Sequence, residues 1–355
     1  MPLTLGGKVS AVEIWHSLQD LEDSQRRDPA GGPLVGGSVV TIGMFDGIHR
    51  GHQKLIRTAI ARARELGLPA VMVTFEPHPL SVVRPEAVPP MLSTFAERAE
   101  RAAALGIDAV VAMRFDAELA AMSPEEFAQA ILVDVLHARA VAVGENFTFG
   151  HKAAGTTATL RELGEVYGFE VDVVELLAED GTVLSSSVTR GHLRAGDVGH
   201  AAHILGRPFS VRGCVCRGAG RGGRELGYPT ANLYFPEAVA IPADGVYCGW
   251  FTVEGGEPTG DMIPGVRYPT AVSVGTNPTF GDERRSVEAF VLDREADLYD
   301  REVTVEFVAR LRGMEKFTGV DDLLQAMARD VARSREILGT PAPHPVAHAD
   351  NAPGE

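Results

Sequence analysis

The sequence predicts an α/β protein in two parts, a parallel sheet with helices on both faces followed by an antiparallel β-barrel with a terminal helix. Three observations carry this. From Ser38 to Glu175, short apolar runs alternate with stretches whose apolar residues recur at helical spacing. Beyond about Gly206 that spacing gives way to β-rich segments punctuated by glycine and proline. The length, 355 residues, suits two ordinary domains and is too great for one compact core.

Taken in order, Ser38 to Gly43 is a buried-strand run, and Gly51 to Leu66 places Leu55, Ile56, Ala59, Ile60 and Ala63 on one helical face. Gly67 and Pro69 punctuate before the strand Ala70 to Phe75. Further strands are expected at Asp108 to Met113, Arg139 to Val143 and Phe169 to Glu175, with helices at Thr94 to Leu105, Ser123 to Leu136 and Thr156 to Tyr167. Ser123-Pro-Glu-Glu supplies a capping serine, a first-position proline and first-turn acids. Glu22 to Gly37 reads as a polar surface loop. In the second part, strands are expected at Ser210 to Cys216, Gly245 to Val253, Thr270 to Val274, Val287 to Leu292 and Val303 to Leu311, and a helix at Val320 to Leu338. The domains are expected to span residues 1–200 and 201–340, with the Ala/Pro/His/Asp mixture of residues 341–355 a disordered tail.

Composition narrows the function. A net charge of −15 argues against nucleic acid as the main partner, since such binders need a basic excess to release counterions. No apolar run approaches membrane-spanning length and the N-terminus lacks a basic-then-apolar signal, so no membrane partner and a cytoplasmic location are expected. Cys214, Cys216 and Cys248 are too few for a disulfide framework and read as small reduced core residues, the first two on one side of a strand. No pattern specifies an oligomeric state.

The first chemical motif is GMFDGIHRGH, Gly43 to His52, where a buried strand ends and a helix begins. Gly43, Gly47 and Gly51 permit a tight turn and close approach of backbone to ligand. The helix start offers free N–H groups to an anion, and His49 and His52 straddle the junction. Taken alone, those histidines also fit solvated helix-start residues, or a metal site with His78.

The HxGH pattern is the signature of the nucleotidyltransferase superfamily, and the wider string resembles the N-terminal module of bacterial bifunctional riboflavin kinase/FAD synthetases. Thr74 to Pro79, Gly144 to Gly150 and Ser185 to Arg190 resemble that family's next blocks, in order. The resemblance implies a Rossmann-like nucleotidyltransferase domain that joins FMN to the adenylyl group of ATP and releases pyrophosphate. It implies that His49 and His52 contact the reacting phosphates, and that Gly43, Phe45, Asp46 and Gly47 form the ATP turn. Ser186, Ser187 and Arg190 would hold the outgoing phosphates and Asn146 would help position substrate. Ser187 stands where the family commonly has Thr, Thr189 where it has an apolar residue, and Glu145-Asn146 where an Asp-containing pair is commoner.

Gly223 to Asn232, GRELGYPTAN, resembles the signature of riboflavin kinases, and blocks at Gly245 to Tyr247, Ser273 to Phe280, Val287 to Phe290, Asp297 to Tyr299 and Leu311 to Phe317 agree. The implied reaction moves the γ-phosphate of ATP to the ribityl hydroxyl of riboflavin. Gly223, Thr230 and Asn232 would bind ATP, with Thr230 and Asn232 also holding Mg²⁺ through hard oxygen donors. Glu288 would be the base; it interrupts an apolar strand, where a buried carboxylate is costly without a purpose, although a solvent-facing position on a half-buried strand fits the pattern equally. The arginines between Arg207 and Arg224, unaccompanied by acids, fit either ATP attraction or a solvated loop face. Two other readings compete: a transferase with another acceptor, such as a coenzyme A precursor or nicotinamide mononucleotide, which the PTAN block opposes, and a flavin-binding protein that has lost its chemistry, which the retained His49, His52, Thr230, Asn232 and Glu288 oppose.

Overall fold

The computed structural model describes residues 12–28, 32, 34–217, 228–235, 238–276 and 285–340. Gly223 with the rest of the glycine-rich loop, the end of the block Ser273 to Phe280, and the tail 341–355 lie outside them. The chain divides into two compact units, residues 1–190 with 204–206 and residues 191–203 with 207–355.

The first unit opens with β1 (Glu13–Trp15) and α1 (Leu18–Arg27), then alternates β2 (Ser38–Ile42), α2 (Arg50–Leu66) and β3 (Ala70–Glu76). After the short α3 (Leu80–Val83) come α4 (Phe95–Leu105), β4 (Ala109–Arg114), α5 (Ala117–Ala121), α6 (Pro124–Phe127), β5 (Ala138–Gly144), α7 (Thr157–Tyr167) and β6 (Glu170–Val174). A small hairpin, β7 (Ala178–Glu179) and β8 (Thr182–Val183), leads to α8 (Ser186–Ala195) and α9 (Val198–Leu205).

The six-stranded sheet has the order β1-β4-β3-β2-β5-β6 and its strands pair in parallel. Successive side chains point to opposite faces, so each central strand feeds two cores. Val40, Val71 and Val141 pack on one face with Phe127 and Leu160. Val39, Met72 and Ala142 pack on the other with Ile56, Ala59 and Ala102 from α2 and α4. Helices therefore cover both faces, as expected.

Three sequence expectations need correction. The stretch from Glu22 is helical through Arg27: the Ser17 hydroxyl caps α1 by accepting from the Asp20 N–H at 3.0 Å, and Arg26 pairs with Glu22 at 2.7 Å. The expected helix Ser123 to Leu136 begins with the Ser123/Glu126 capping box, but from Ala128 to Val135 it widens into π-helical turns, closed by the Leu136 N–H on the Ile131 carbonyl. The wider winding leaves Phe127, Ala128, Ile131, Leu132 and Val135 all buried. Of the cysteines, only Cys248 is a core residue; Cys214 and Cys216 are half-buried on the same side of their strand.

The second unit is a closed barrel in the order β10-β13-β12-β11-β14-β9. Its strands are β9 (Phe209–Cys216), β10 (Ala231–Tyr234), β11 (Gly245–Val253), β12 (Arg267–Thr276), β13 (Arg285–Val291) and β14 (Glu302–Arg312). Val287, Ala289, Val272, Val274, Val303, Val305 and Phe307 are buried at alternate positions, which fills the interior with side chains. α10 (Val320–Leu338) lies against β11 and β12, and its Asp330 accepts paired bonds from Arg312 at 2.9 and 3.1 Å. Among the described residues no helix is long and apolar enough to cross a membrane.

Candidate active sites

In the first unit the turn Gly43 to His49 leaves the carboxyl end of β2, the sheet end at which open α/β folds bind ligands. Phe45, Gly47 and Ile48 all have positive φ, so the chain reverses tightly before α2 begins. Gly47 (φ +76°) has Leu92 only 3.0 Å from where a Cβ would stand. A Cβ on Gly51 would lie 3.1 Å from the His49 ring and 3.3 Å from the Leu184 carbonyl, so glycine lets the helix start pass beneath the histidine.

His49 is the N-cap of α2, its Nδ1 accepting from the His52 N–H at 3.3 Å. The two imidazoles stack with centroids 3.6 Å apart, and Phe45 meets His52 edge-on at 5.3 Å. His52 Nδ1 is sealed from solvent and has no hydrogen-bond partner among the described residues. Burial, reinforced by the charge of His49, holds His52 well below the ordinary histidine pKa, so it is neutral at neutral pH. Such a depressed value costs stability in acid: below pH about 6.5 the unfolded chain takes up a proton that folded His52 refuses. The thermal midpoint of wild type should therefore fall more steeply from pH 7.5 to 5.5, by roughly this one group, than that of His52→Gln. Parallel melting curves across that range check this, and identical slopes would refute it.

Asp46 is the hub of the turn. Its buried carboxylate accepts from the Leu92 N–H at 2.9 Å, the Ser93 N–H at 3.1 Å and the Arg190 guanidinium. Ser93 Oγ also accepts from the Gly47 N–H at 2.9 Å, and Ser186 Oγ donates to the Asp46 carbonyl at 2.9 Å. Arg190 donates in addition to the Pro90 carbonyl at 2.8 Å. Burial pushes the Asp46 carboxyl upward, and Arg190 with the two N–H groups pulls it back. Removing one partner of a buried pair strands the other's charge, so Asp46→Ala is expected to cost about 3–5 kcal/mol. Chemical denaturation measures this, and a loss below about 1 kcal/mol would show that the pair contributes little.

A second layer was missed from sequence. Arg98, almost fully buried in α4, donates to the Met44 carbonyl and Thr74 Oγ1, both at 2.9 Å, and to Glu76 at 2.7 Å. It braces the turn from β3. The signal was present: Phe95, Arg98, Ala99 and Ala102 share one helical stripe, and an arginine in an apolar stripe needs partners. His78 belongs to the same neighbourhood. Burial lowers its pKa, Asp46 opposes that, and Arg190 and Arg98 reinforce it. Of the serine run, Ser185 caps α8 by accepting from the Val188 N–H at 3.3 Å, Ser186 joins the hub, and Ser187 is exposed. Asn146 is exposed in the turn after β5, which pairs with β2 and ends at the same side of the sheet.

In the second unit the β-ladder brings the motifs together. Asn232 stands directly opposite Glu288 across the β10–β13 pair, opposite Cys216 across β10–β9, and Glu288 is opposite Ser273 across β13–β12. Directly opposed residues share a face, so these form one polar row. Glu288 lies between Val287 and Ala289, both fully buried, and is itself half-buried on the outer face of the barrel. The premise of a buried carboxylate is thus corrected: alternation turns Glu288 outward. Its Oε1 accepts from the Ser286 hydroxyl at 3.4 Å. Asn232 is buried, with Nδ2 3.5 Å from the Thr230 carbonyl, while Thr230 is exposed. Tyr228 of the same motif packs edge-on against Phe290 at 5.1 Å. Of the arginine-rich stretch, Arg212 lies 3.9 Å from Glu254 and Arg217 covers the Tyr299 ring.

Comparison with known proteins follows the same division. The family description FAD synthetase matches residues 34–188, and riboflavin kinase matches residues 205–338. A bifunctional riboflavin kinase/FMN adenylyltransferase from Pseudomonas fluorescens is 37% identical over 309 residues, covering 87% of this chain and 95% of the relative. Those of Escherichia coli K12 and Bacillus subtilis are 34% and 33% identical, covering 86% and 82% of this chain and 95% and 90% of their own. A crystal structure described as a macrolide-efflux protein from Streptococcus pneumoniae is similar at TM-score 0.74 and 32% identity, over 86% of this chain and 95% of that one.

Proposed function

The chain belongs to the family of bifunctional riboflavin kinases and FMN adenylyltransferases, and on that premise we propose which of its residues perform each reaction. The enzyme phosphorylates riboflavin to FMN with ATP and adenylylates FMN to FAD. We assign adenylyl transfer to residues 1–200 and the kinase reaction to residues 201–340.

In adenylyl transfer an FMN phosphate oxygen bonds to the α-phosphorus of ATP and the bond to the β-phosphate breaks, releasing pyrophosphate. The protein's task is alignment and neutralisation of developing charge. His52 carries the assignment, because it stacks on His49 at the start of α2, the helix end that favours an anion. His49 and neutral His52 offer ring N–H donors to the phosphate oxygens, and Gly43, Phe45 and Gly47 shape the turn around them. Asp46 holds Arg190 ready beside the turn, from which its guanidinium can hand over to phosphate with Ser186 and Ser187. Asn146 approaches from the neighbouring strand end.

In the kinase reaction the ribityl hydroxyl bonds to the γ-phosphorus as the bond to ADP breaks. Glu288 accepts the hydroxyl proton, and the Asn232–Glu288 pairing sets the base beside the phosphate-binding motif. Thr230, Asn232 and Gly223 contact ATP. A hydroxyl, an amide oxygen and a neighbouring carboxylate are hard oxygen donors that suit Mg²⁺, with Thr230 and Asn232 as its ligands. When bound, the ion neutralises charge across the phosphates. The substrates riboflavin, FMN and ATP account for both motifs without nucleic acid or membrane as a partner, and a cytoplasmic enzyme fits this reading. Incubation of the purified protein with Mg²⁺, ATP and riboflavin, followed by chromatographic separation of the flavins, should yield FMN and FAD. Absence of both would refute the reading.

A further inference from the structure

The turn between α8 and α9 carries a cluster that neither reaction uses. α8 ends at Gly196 (φ +76°), where the Gly196 N–H donates to the Leu193 carbonyl and the Asp197 N–H to the His192 carbonyl, both at 2.9 Å. This paired closure fixes the helix end. Asp197 then caps α9, its Oδ1 accepting from the His200 N–H at 3.1 Å. With Oδ1 and both backbone groups committed, Oδ2 is left between two imidazoles, 3.3 Å from His192 Nδ1 and 2.6 Å from His200 Nδ1. The rings stack with centroids 5.1 Å apart and 16° between planes.

We propose that His192, Asp197 and His200 form a binding site for a divalent transition-metal ion of the zinc class. The three ligand atoms lie within 4.8 Å of one another. Tetrahedral Zn²⁺ with bonds of about 2.0–2.2 Å sets neighbouring ligand atoms roughly 3.3 Å apart. His192 and Asp197 already stand at that spacing, and His200, with a side chain 70% exposed, can swing outward to reach it. Two imidazoles with one carboxylate leave the fourth position to water and select Zn²⁺, Co²⁺ or Ni²⁺ over Mg²⁺ or Ca²⁺. In the bound state each imidazole coordinates through Nδ1 as the neutral base with its remaining proton on Nε2, so affinity falls in acid. The ion would pin the end of the helix whose first two turns carry Ser186, Ser187 and Arg190.

The test uses the full chain, stripped with a chelator. Co²⁺ is titrated while the visible absorption of tetrahedral Co²⁺ is followed, and Zn²⁺ is titrated by calorimetry, for wild type and the double variant His192→Gln/His200→Gln. The double variant is expected to keep its circular dichroism and FMN formation but to lose one equivalent of bound metal and the tetrahedral Co²⁺ absorption. Zn²⁺ is also expected to raise the thermal midpoint of wild type alone. Histidines and cysteines elsewhere bind equally in both proteins and cancel in the difference. Equal stoichiometry and equal affinity in the two proteins would overturn the site.

Discussion

Replacing His52 by alanine lowers FAD formation from FMN about 10²–10³-fold, the loss expected when one preorganised donor to a developing charge is removed. This corresponds to about 2.7–4 kcal/mol of transition-state stabilisation. The stacked partner His49 and the cap it makes on α2 limit collateral damage, because the cap accepts from the backbone N–H of residue 52, which alanine retains. FMN formation from riboflavin should stay at the wild-type level, since His52 belongs to the first unit and the Asn232–Glu288 row to the second. The two steps are assayed separately, riboflavin with ATP for the first and FMN with ATP for the second. Loss of both activities in a folded variant would show that the sites are wrongly divided.

The reciprocal experiment is Glu288→Gln, which keeps the shape of the side chain and an oxygen within reach of the Ser286 hydroxyl but removes the base. Riboflavin phosphorylation should fall about 10²–10⁴-fold, the usual contribution of a positioned proton acceptor. Adenylylation of supplied FMN should not change. Because Glu288 is half-buried on the barrel's outer face, the substitution leaves the packed interior of Val287 and Ala289 untouched, and the melting temperature should hold. Retained phosphorylation would exclude Glu288 as the base.

The sequence was most readable where one local signal settled the structure. Leu55, Ile56, Ala59, Ile60 and Ala63 announce α2, and all five are buried in it. α1 was unreadable for the opposite reason. It buries only Leu21, and capping and side-chain pairs along a polar surface hold it, which a search for apolar periodicity passes over. At the sites, the motifs located the turn and the PTAN strand but not their partners. Asp46 meets Arg190 across 144 residues of chain, and Asn232 meets Glu288 only through strand register. Neither pairing follows from spacing. The direction in which Glu288 points also depended on register, because alternation along β13 fixes two faces without saying which is inside.

The edges of the open sheet have a consequence for the chain's behaviour at high concentration. An unpaired strand edge is a template for recruiting another chain, and amyloid-like association grows from such edges. One edge here is β1, only three residues long. The other, β6, carries Glu170 and Asp172 in ion pairs with Arg62, so an incoming strand meets charge. Among the described residues the closed barrel offers no unpaired strand edge. The six-stranded sheet and the barrel are therefore both guarded against strand-to-strand aggregation.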